Sequence, residues 1–138
     1  MTKLFVDTSG WASLLLSTES HHIKAVEHFE QAKRTSVGLI TTNYIISELV
    51  ALLPIRQRVS RNNLFQYIDS IRLASFVDTV HINLETDLTA WNLCKSRPDN
   101  AWSLVDASSF VVMRRLDIQT ALTTDRHFEQ AGFVRLLK

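Results

Sequence analysis

The sequence is poor in cysteine, glycine and proline. Cys94 is the only cysteine in 138 residues, which excludes an intrachain disulfide, a zinc ribbon and a CxxC redox pair. Three glycines and two prolines are too few for the many turns of an all-β sandwich, so long helices with short connections are favoured. Because the 46% hydrophobic content is enough for one buried core, we expect a single domain over residues 1–138.

Long apolar runs and a strong net charge are also missing. No apolar run approaches the roughly 18 residues of a membrane span, and Asp7 interrupts the apolar start before it resembles a signal peptide. We therefore expect a cytoplasmic protein that does not contact the membrane. The formal net charge of +1 is not that of a strongly basic nucleic-acid-binding domain. A polyanion would have to meet a local cluster such as Arg56, Arg58 and Arg61, whose simpler role is a solvated surface.

Short apolar strands alternate with amphipathic helices along the chain. We predict strands at 3–6, 37–41, 76–82 and 119–123, with a last apolar stretch at 133–137. Helices are predicted at 11–16, 21–32, 43–54 (closed by Pro54), 61–75, 83–94 and 104–116, with a short one from 126. This alternation is typical of an α/β fold in which helices cover both faces of a parallel sheet.

Four acidic residues fall where such a fold brings side chains together. Asp7 and Asp125 follow predicted strands, and Asp106 lies in the first turn of its helix. Glu48 lies about five residues into its helix, roughly 7 to 8 Å from the start at ~1.5 Å per residue. The carboxyl ends of parallel strands and the beginnings of the following helices share one edge of the sheet. We therefore expect the four carboxylates to converge there.

Converging carboxylates repel one another, and a bound cation relieves the repulsion. Ligands that are all oxygen favour Mg²⁺ or Mn²⁺ over zinc, and such ions serve phosphodiester chemistry. Each acid alone also has a structural interpretation. Asp7 and Asp125 are placed to cap helices, Asp106 and Ser103 have the spacing of a capping box, and Glu48 suits an ordinary helix flank. Their coincidence favours a shared site.

The four acids lie in segments that resemble the PIN-domain family, especially the VapC-type toxins of toxin–antitoxin pairs. The segments are Phe5-Val-Asp-Thr-Ser9, Asn43-Tyr-Ile-Ile-Ser-Glu-Leu49, Ser103-Leu-Val-Asp-Ala-Ser-Ser-Phe110 and Leu122-Thr-Thr-Asp-Arg-His-Phe128. Each motif alone is weak, but four in order over the whole chain are fairly specific. Some relatives carry a further acid near the fourth motif, for which Glu129 is the nearest candidate here.

The resemblance implies a three-layer αβα sandwich around a parallel sheet and an endoribonuclease that needs Mg²⁺ or Mn²⁺. It implies that Asp7, Glu48, Asp106 and Asp125 form the acidic site, with Asp7 and Asp106 as the most direct metal ligands. Ser9 and Thr123 resemble supporting hydroxyls. The implied partners are an RNA substrate, a cognate antitoxin and a second copy of the chain in a homodimer.

Aromatic and histidine side chains offer fewer signals. Trp91 belongs to an apolar stripe and is expected in the core, whereas Trp102, beside a polar loop, is the better candidate for contact with substrate or partner. His127 stands alone in the sequence, and no histidine pair has metal-binding spacing. Surface or capping roles are therefore expected for the histidines.

Two other functions remain open. A phosphoaspartate receiver or a phosphatase of the haloacid-dehalogenase class also uses aspartates at strand ends, but Asp7 has no second aspartate two positions on. A non-catalytic PIN-like interaction module is the other alternative, because a fold persists after its chemistry is lost. The intact acids argue against that alternative.

Overall fold

A computed structural model describes residues 2–138 as five strands and seven helices. The strands are β1 (Lys3–Val6), β2 (Gly38–Thr42), β3 (Val77–Val80), β4 (Thr120–Leu122) and β5 (Val134–Arg135). The helices are α1 (Thr8–Leu15), α2 (His22–Arg34), α3 (Asn43–Arg56), α4 (Arg61–Leu73), α5 (Leu84–Ser96), α6 (Leu104–Arg115) and α7 (Arg126–Gln130). Among the described residues, no helix is long and apolar enough to cross a bilayer.

The five strands form one sheet in the order β3-β2-β1-β4-β5, and every neighbouring pair is parallel. Strand β1 lies at the centre, where Phe5 is in register with Ile40 on one side and Ala121 on the other. The predicted α/β class with an all-parallel sheet is confirmed. The chain first builds outward from β1 to β3, then crosses back to β4 and builds outward in the opposite direction.

That reversal separates the helices into two layers. Right-handed crossovers place the helices of the first half on one face and those of the second half on the other. The contacts agree, since α1 packs on α2 and α3, and α3 packs on α4, while α6 packs on α5 and α7. The sheet is therefore the middle layer of an αβα sandwich.

Aromatic packing joins the elements that carry the acidic residues. The rings of Phe110 in α6 and Phe128 in α7 meet edge to face at 5.0 Å, and Phe5 in β1 lies 6.3 Å from Phe128. All three side chains are fully buried. Edge-to-face pairs of this kind favour one relative orientation of the rings. The core thus fixes the end of β1 relative to the beginnings of α6 and α7.

The inward face of α5 differs from the prediction. Trp91, expected in the core, is 51% exposed, whereas Thr86 and Ala90 are buried and Ala90 packs against Ala107 and Val111 of α6. Small side chains let two helix backbones approach closely. The close contact between α5 and α6 therefore requires small side chains on the inward face of α5, and the bulky apolar side chains of α5 face outward.

The prediction for Trp102 was also wrong. Its ring is 7% exposed and packs edge to face on Phe110 at 5.1 Å, and its Nε1 donates a hydrogen bond of 3.1 Å to Gln130. Trp11 is buried as well, and its Nε1 donates to the Thr41 hydroxyl at 3.0 Å. Both indoles bury an apolar body while their N–H groups are satisfied. Neither ring is available to stack on a base.

Pro54 does not end its helix as predicted. Helix α3 continues to Arg56, and the Gln57 amide still donates to the Leu53 carbonyl. Pro54 removes its own N–H from the helical ladder, but the bond from Gln57 shows that the ladder resumes after it. The helix therefore keeps its last residues, which places Arg56 beside the cleft described below.

Candidate active site

The acidic residues meet where the strand order reverses. Asp7 follows β1, and Thr123 and Asp125 follow β4, which is the neighbour of β1 in the sheet. The chain leaves these two strands toward opposite faces, which opens a crevice at their carboxyl ends. Ligands of open α/β sheets bind in such crevices. The expected convergence of the four acids at this edge is what the structure shows: all four line one cleft of about 250 Å³, together with Thr8, Ser9, Arg56 and Gln57.

Asp7 is the most buried of the four, with 7% of its surface exposed. Its Oδ1 accepts hydrogen bonds from the Gly10 amide and the Ser9 hydroxyl, each 2.8 Å long, and its Oδ2 accepts from the Thr123 hydroxyl at 2.7 Å. Burial outweighs these hydrogen bonds and raises the pKa of Asp7 from 3.8 to about 7, with a further contribution from the charge of Asp125. A nearby cation would stabilise the ionised form of this buried carboxylate.

Ser9 and Thr123 connect the two sides of the crevice. The Ser9 hydroxyl accepts from the Thr124 amide at 2.9 Å, and the Thr123 hydroxyl accepts from the Asp125 amide at 3.0 Å. The two hydroxyls are 3.2 Å apart. Both also donate to Asp7, so they fix this carboxylate against the loop that carries Asp125.

Asp106 stands on the first turn of α6 in a complete capping box with Ser103. Its Oδ2 accepts from the Ser103 amide at 3.1 Å and lies 3.0 Å from Nδ1 of His127. Burial raises the pKa of Asp106, and the charge of Asp125 raises it further, although hydrogen bonds from Ser103 and His127 act in the opposite direction. Asp125 is therefore close enough for its charge to disfavour the ionisation of Asp106.

Glu48 reaches the cleft from α3 and is partly exposed. Its Oε1 accepts a hydrogen bond of 2.5 Å from the hydroxyl of Thr8, at the beginning of α1. Sequence reasoning missed Thr8. The signal available was its position directly after Asp7, where the first turn of a helix faces the same edge of the sheet.

The capping interpretations hold at the same time as the shared cleft. Asp7 caps α1 through the Gly10 amide, Asp125 caps α7 through the His127 amide, and Asp106 completes its capping box. Helix N-termini favour negative charge. Capping therefore helps to position and stabilise the same carboxylates that line the cleft.

His127, which stands alone in the sequence, lies beside two of the acids in the structure. One ligand atom from each of Asp106, Asp125 and His127 lies within 4.8 Å of the others, and His127 Nδ1 is 3.4 Å from Asp125 Oδ1. The signal was its position two residues after Asp125, in the first turn of α7. Glu129 is outside this group, since it forms ion pairs with Arg135 and Lys138.

The cleft carries an excess of negative charge. Within residues 2–138, no lysine or arginine forms a salt bridge with any of the four acids; His127 is their only basic partner. Arg56 lines the cleft without such a pair. Carboxylate oxygens grouped in this way, with one of them buried, suit a hard divalent cation. The residues present therefore fit a metal such as Mg²⁺ or Mn²⁺.

The all-parallel αβα sandwich with an acidic crevice at its switch point defines a PIN-like domain. Two curated relatives from Mycobacterium tuberculosis, strains CDC 1551 / Oshkosh and H37Rv, are named 23S rRNA-specific endonuclease VapC20. Each is 32% identical over 133 residues, which are 96% of this chain and 97% of the relative. No protein-family model matches the sequence.

Solved structures agree with the relatives. The crystal structure of VapC20 from Mycobacterium tuberculosis, described as a sarcin–ricin loop cleaving toxin, matches with a TM-score of 0.82 at 30% identity. The match covers 96% of this chain and 97% of that structure. The chain belongs to the VapC family of PIN-domain toxins.

Proposed function

We propose that this protein is a metal-dependent endoribonuclease that acts as the toxin of a type II toxin–antitoxin pair. The observation that carries the proposal is the convergence of Asp7, Glu48, Asp106 and Asp125 in one cleft, where no lysine or arginine of residues 2–138 forms a salt bridge with them. The full-length similarity to VapC20 endonucleases supports the same conclusion. Four acids in one cleft, one of them buried, suit metal-dependent hydrolysis of a phosphodiester.

The metal would be held by Asp7 and Asp106, with Asp125 and Glu48 completing the acidic shell. Asp7 keeps one lone pair on Oδ2 beyond its bond from Thr123, and no hydrogen bond reaches Oδ1 of Asp106 from residues 2–138. When bound, Mg²⁺ or Mn²⁺ would lower the pKa of a water molecule and neutralise charge on the scissile phosphate.

The remaining steps belong to side chains of the chain itself. The Thr8 hydroxyl donates a hydrogen bond to Oε1 of Glu48. The other oxygen, Oε2, would accept a hydrogen bond from an attacking water. Ser9 and Thr123 hold the Asp7 carboxylate in one orientation. Arg56, at the rim of the cleft, supplies a cationic group for the RNA backbone on either side of the cut.

The names of the relatives support a proposal for the substrate, and the family supports one for the partners. The VapC20 relatives are named for cleavage of 23S rRNA, and the related crystal structure for cleavage of the sarcin–ricin loop. We propose the same loop as the substrate of this chain. A cognate antitoxin that covers the cleft, a homodimer and action in the cytoplasm complete the proposal.

Cleavage of purified ribosomes tests the proposal most directly. The antitoxin-free protein is incubated with 70S ribosomes in Mg²⁺, in Mn²⁺ or in EDTA, and the ends of the rRNA fragments are mapped. We expect one metal-dependent cut in 23S rRNA, abolished in Asp106→Asn, which keeps the size and the capping acceptor of the side chain.

The control is Asp78→Asn, an exposed carboxylate on β3 outside the cleft, purified in the same way. Equal cleavage by wild type and Asp106→Asn would identify a contaminating nuclease and contradict the proposal. Absence of cleavage of ribosomes and of a mixed RNA pool, with the fold intact, would favour the non-catalytic module. A metal-dependent cut elsewhere in RNA would keep the nuclease and overturn only the proposed target.

A further inference from the structure

His127 lies among carboxylates but is placed to donate a hydrogen bond to them. Nδ1 is 3.0 Å from Oδ2 of Asp106 and 3.4 Å from Oδ1 of Asp125. A carboxylate oxygen that is ionised only accepts hydrogen bonds, and a neutral imidazole donates through one nitrogen. With Asp106 ionised, this contact is a hydrogen bond only if Nδ1 carries the ring proton. Nδ1 then has no lone pair for a metal, and Nε2 keeps one.

The contact with His127 makes the hydrogen bonding of the two carboxylate oxygens of Asp106 unequal. Oδ2 accepts from both the Ser103 amide and His127, whereas no hydrogen bond reaches Oδ1 from the described residues. Two donors on one oxygen fix the rotation of the carboxylate about its last bond. The side chain of His127 is 29% exposed and that of Asp106 17%, so solvent competes little for this contact.

The backbone reinforces the position of the imidazole. The His127 amide donates to Oδ1 of Asp125 at 2.9 Å, so the residue is attached to one acid through its main chain and to another through its ring. Phe128, the next residue, is fully buried against Phe5 and Phe110. The beginning of α7 thus has little freedom to move the ring away from α6.

We propose that His127 is a positioning residue that turns Oδ1 of Asp106 toward the metal through the hydrogen bond from Nδ1. The inference rests on the proposed metal-dependent function. Hydrogen bonds that orient metal ligands typically change metal affinity or activity by 10- to 100-fold. His127 would act by fixing the ligand geometry before the metal arrives.

The test measures Mn²⁺ binding to the RNA-free protein by electron paramagnetic resonance. We expect His127→Ala to raise the dissociation constant for Mn²⁺ by about 10- to 100-fold. His127→Asn, whose side-chain amide offers a donor near the position of Nδ1, is expected to restore binding close to wild type. Nitrogen-15 NMR of the wild-type imidazole is expected to show a protonated Nδ1 before and after addition of Mg²⁺.

The matched control is His81→Ala, an exposed histidine outside the acidic cleft. Wild-type Mn²⁺ binding in His127→Ala, binding in His127→Asn as weak as in His127→Ala, or an unprotonated Nδ1 with Mg²⁺ would each overturn the inference. If the wild type binds metal and cuts RNA, such a result leaves the proposed function standing. If the wild type does neither, and matches Asp106→Asn in both assays, the proposed function and the inference fail together.

Discussion

Asp7→Asn is expected to stabilise the metal-free protein while it abolishes cleavage. Burial holds the pKa of Asp7 at about 7 in the folded chain, against an ordinary value of 3.8. At about 1.4 kcal/mol per pH unit, the difference amounts to about 4 kcal/mol of unfolding free energy. Asparagine carries no charge at any pH and avoids this cost.

The pH dependence follows from the direction of the shift. Well below pH 4 the aspartate is protonated in both the folded and the unfolded chain, so the two proteins are expected to differ little there. As pH rises from 4 to 7, the unfolded wild type loses its proton before the folded form does, and its stability falls. The advantage of Asp7→Asn therefore grows across this range and levels off above pH 7.

The hydrogen bonds around residue 7 tolerate the substitution. Oδ1 of an asparagine still accepts from Gly10 and Ser9. Its amide donates to the Thr123 hydroxyl, which turns its own proton toward the Ser9 oxygen 3.2 Å away. Asparagine is also as good a helix cap as aspartate. The fold is therefore expected to survive unchanged.

Urea unfolding in EDTA at pH 4, 6 and 8 measures the effect, with Asp78→Asn as the control. The reasoning would be refuted if the free energies of unfolding of wild type and Asp7→Asn were equal at pH 8, or if their difference did not change with pH. Addition of Mg²⁺ at about 100 times its dissociation constant is expected to stabilise the wild type by about 2.7 kcal/mol and the variant much less.

Three further substitutions test how the site is supported. Gly10→Ala is expected to lower the free energy of unfolding in urea by about 3 kcal/mol, since its Cβ would lie 1.9 Å from the Leu122 carbonyl oxygen. The control is Gly38→Ala, whose Cβ would meet only a flexible lysine side chain and which should lower it far less. Thr123→Val is expected to reduce cleavage by about 10- to 100-fold, because a buried carboxylate loses its donor. Trp102→Phe is expected to keep cleavage and lose about 1 kcal/mol of stability with its hydrogen bond to Gln130, and lost cleavage would show that the indole has a role in the site.

Strand ends were the most informative part of the sequence. An aspartate at or shortly after the end of an apolar strand identifies the edge of the sheet without knowledge of strand order, as Asp7 and Asp125 show. Hydrophobic periodicity then places Asp106 and Glu48 in the helix halves that face this edge. Strand ends and helix starts are local in sequence, and a parallel sheet brings them together at one edge.

Side-chain packing between distant elements was not predictable in the same way. Trp91 belongs to an apolar stripe, but the close contact of α5 with α6 favours Ala90 on the inward face. Trp102 follows a polar loop and is nevertheless buried by Phe110. His127 is isolated in sequence and reaches Asp106 only because α6 and α7 pack together. Each case depends on a partner element that periodicity does not identify.

The hydrogen bond from Thr123 to Asp7 joins residues 116 positions apart. During translation, β1 and β2 are made long before β4, the other neighbour of β1 in the sheet. A chain released before residue 123 lacks the second wall of the cleft and the donor that holds its buried acid. Premature termination before that point therefore yields fragments without a complete site.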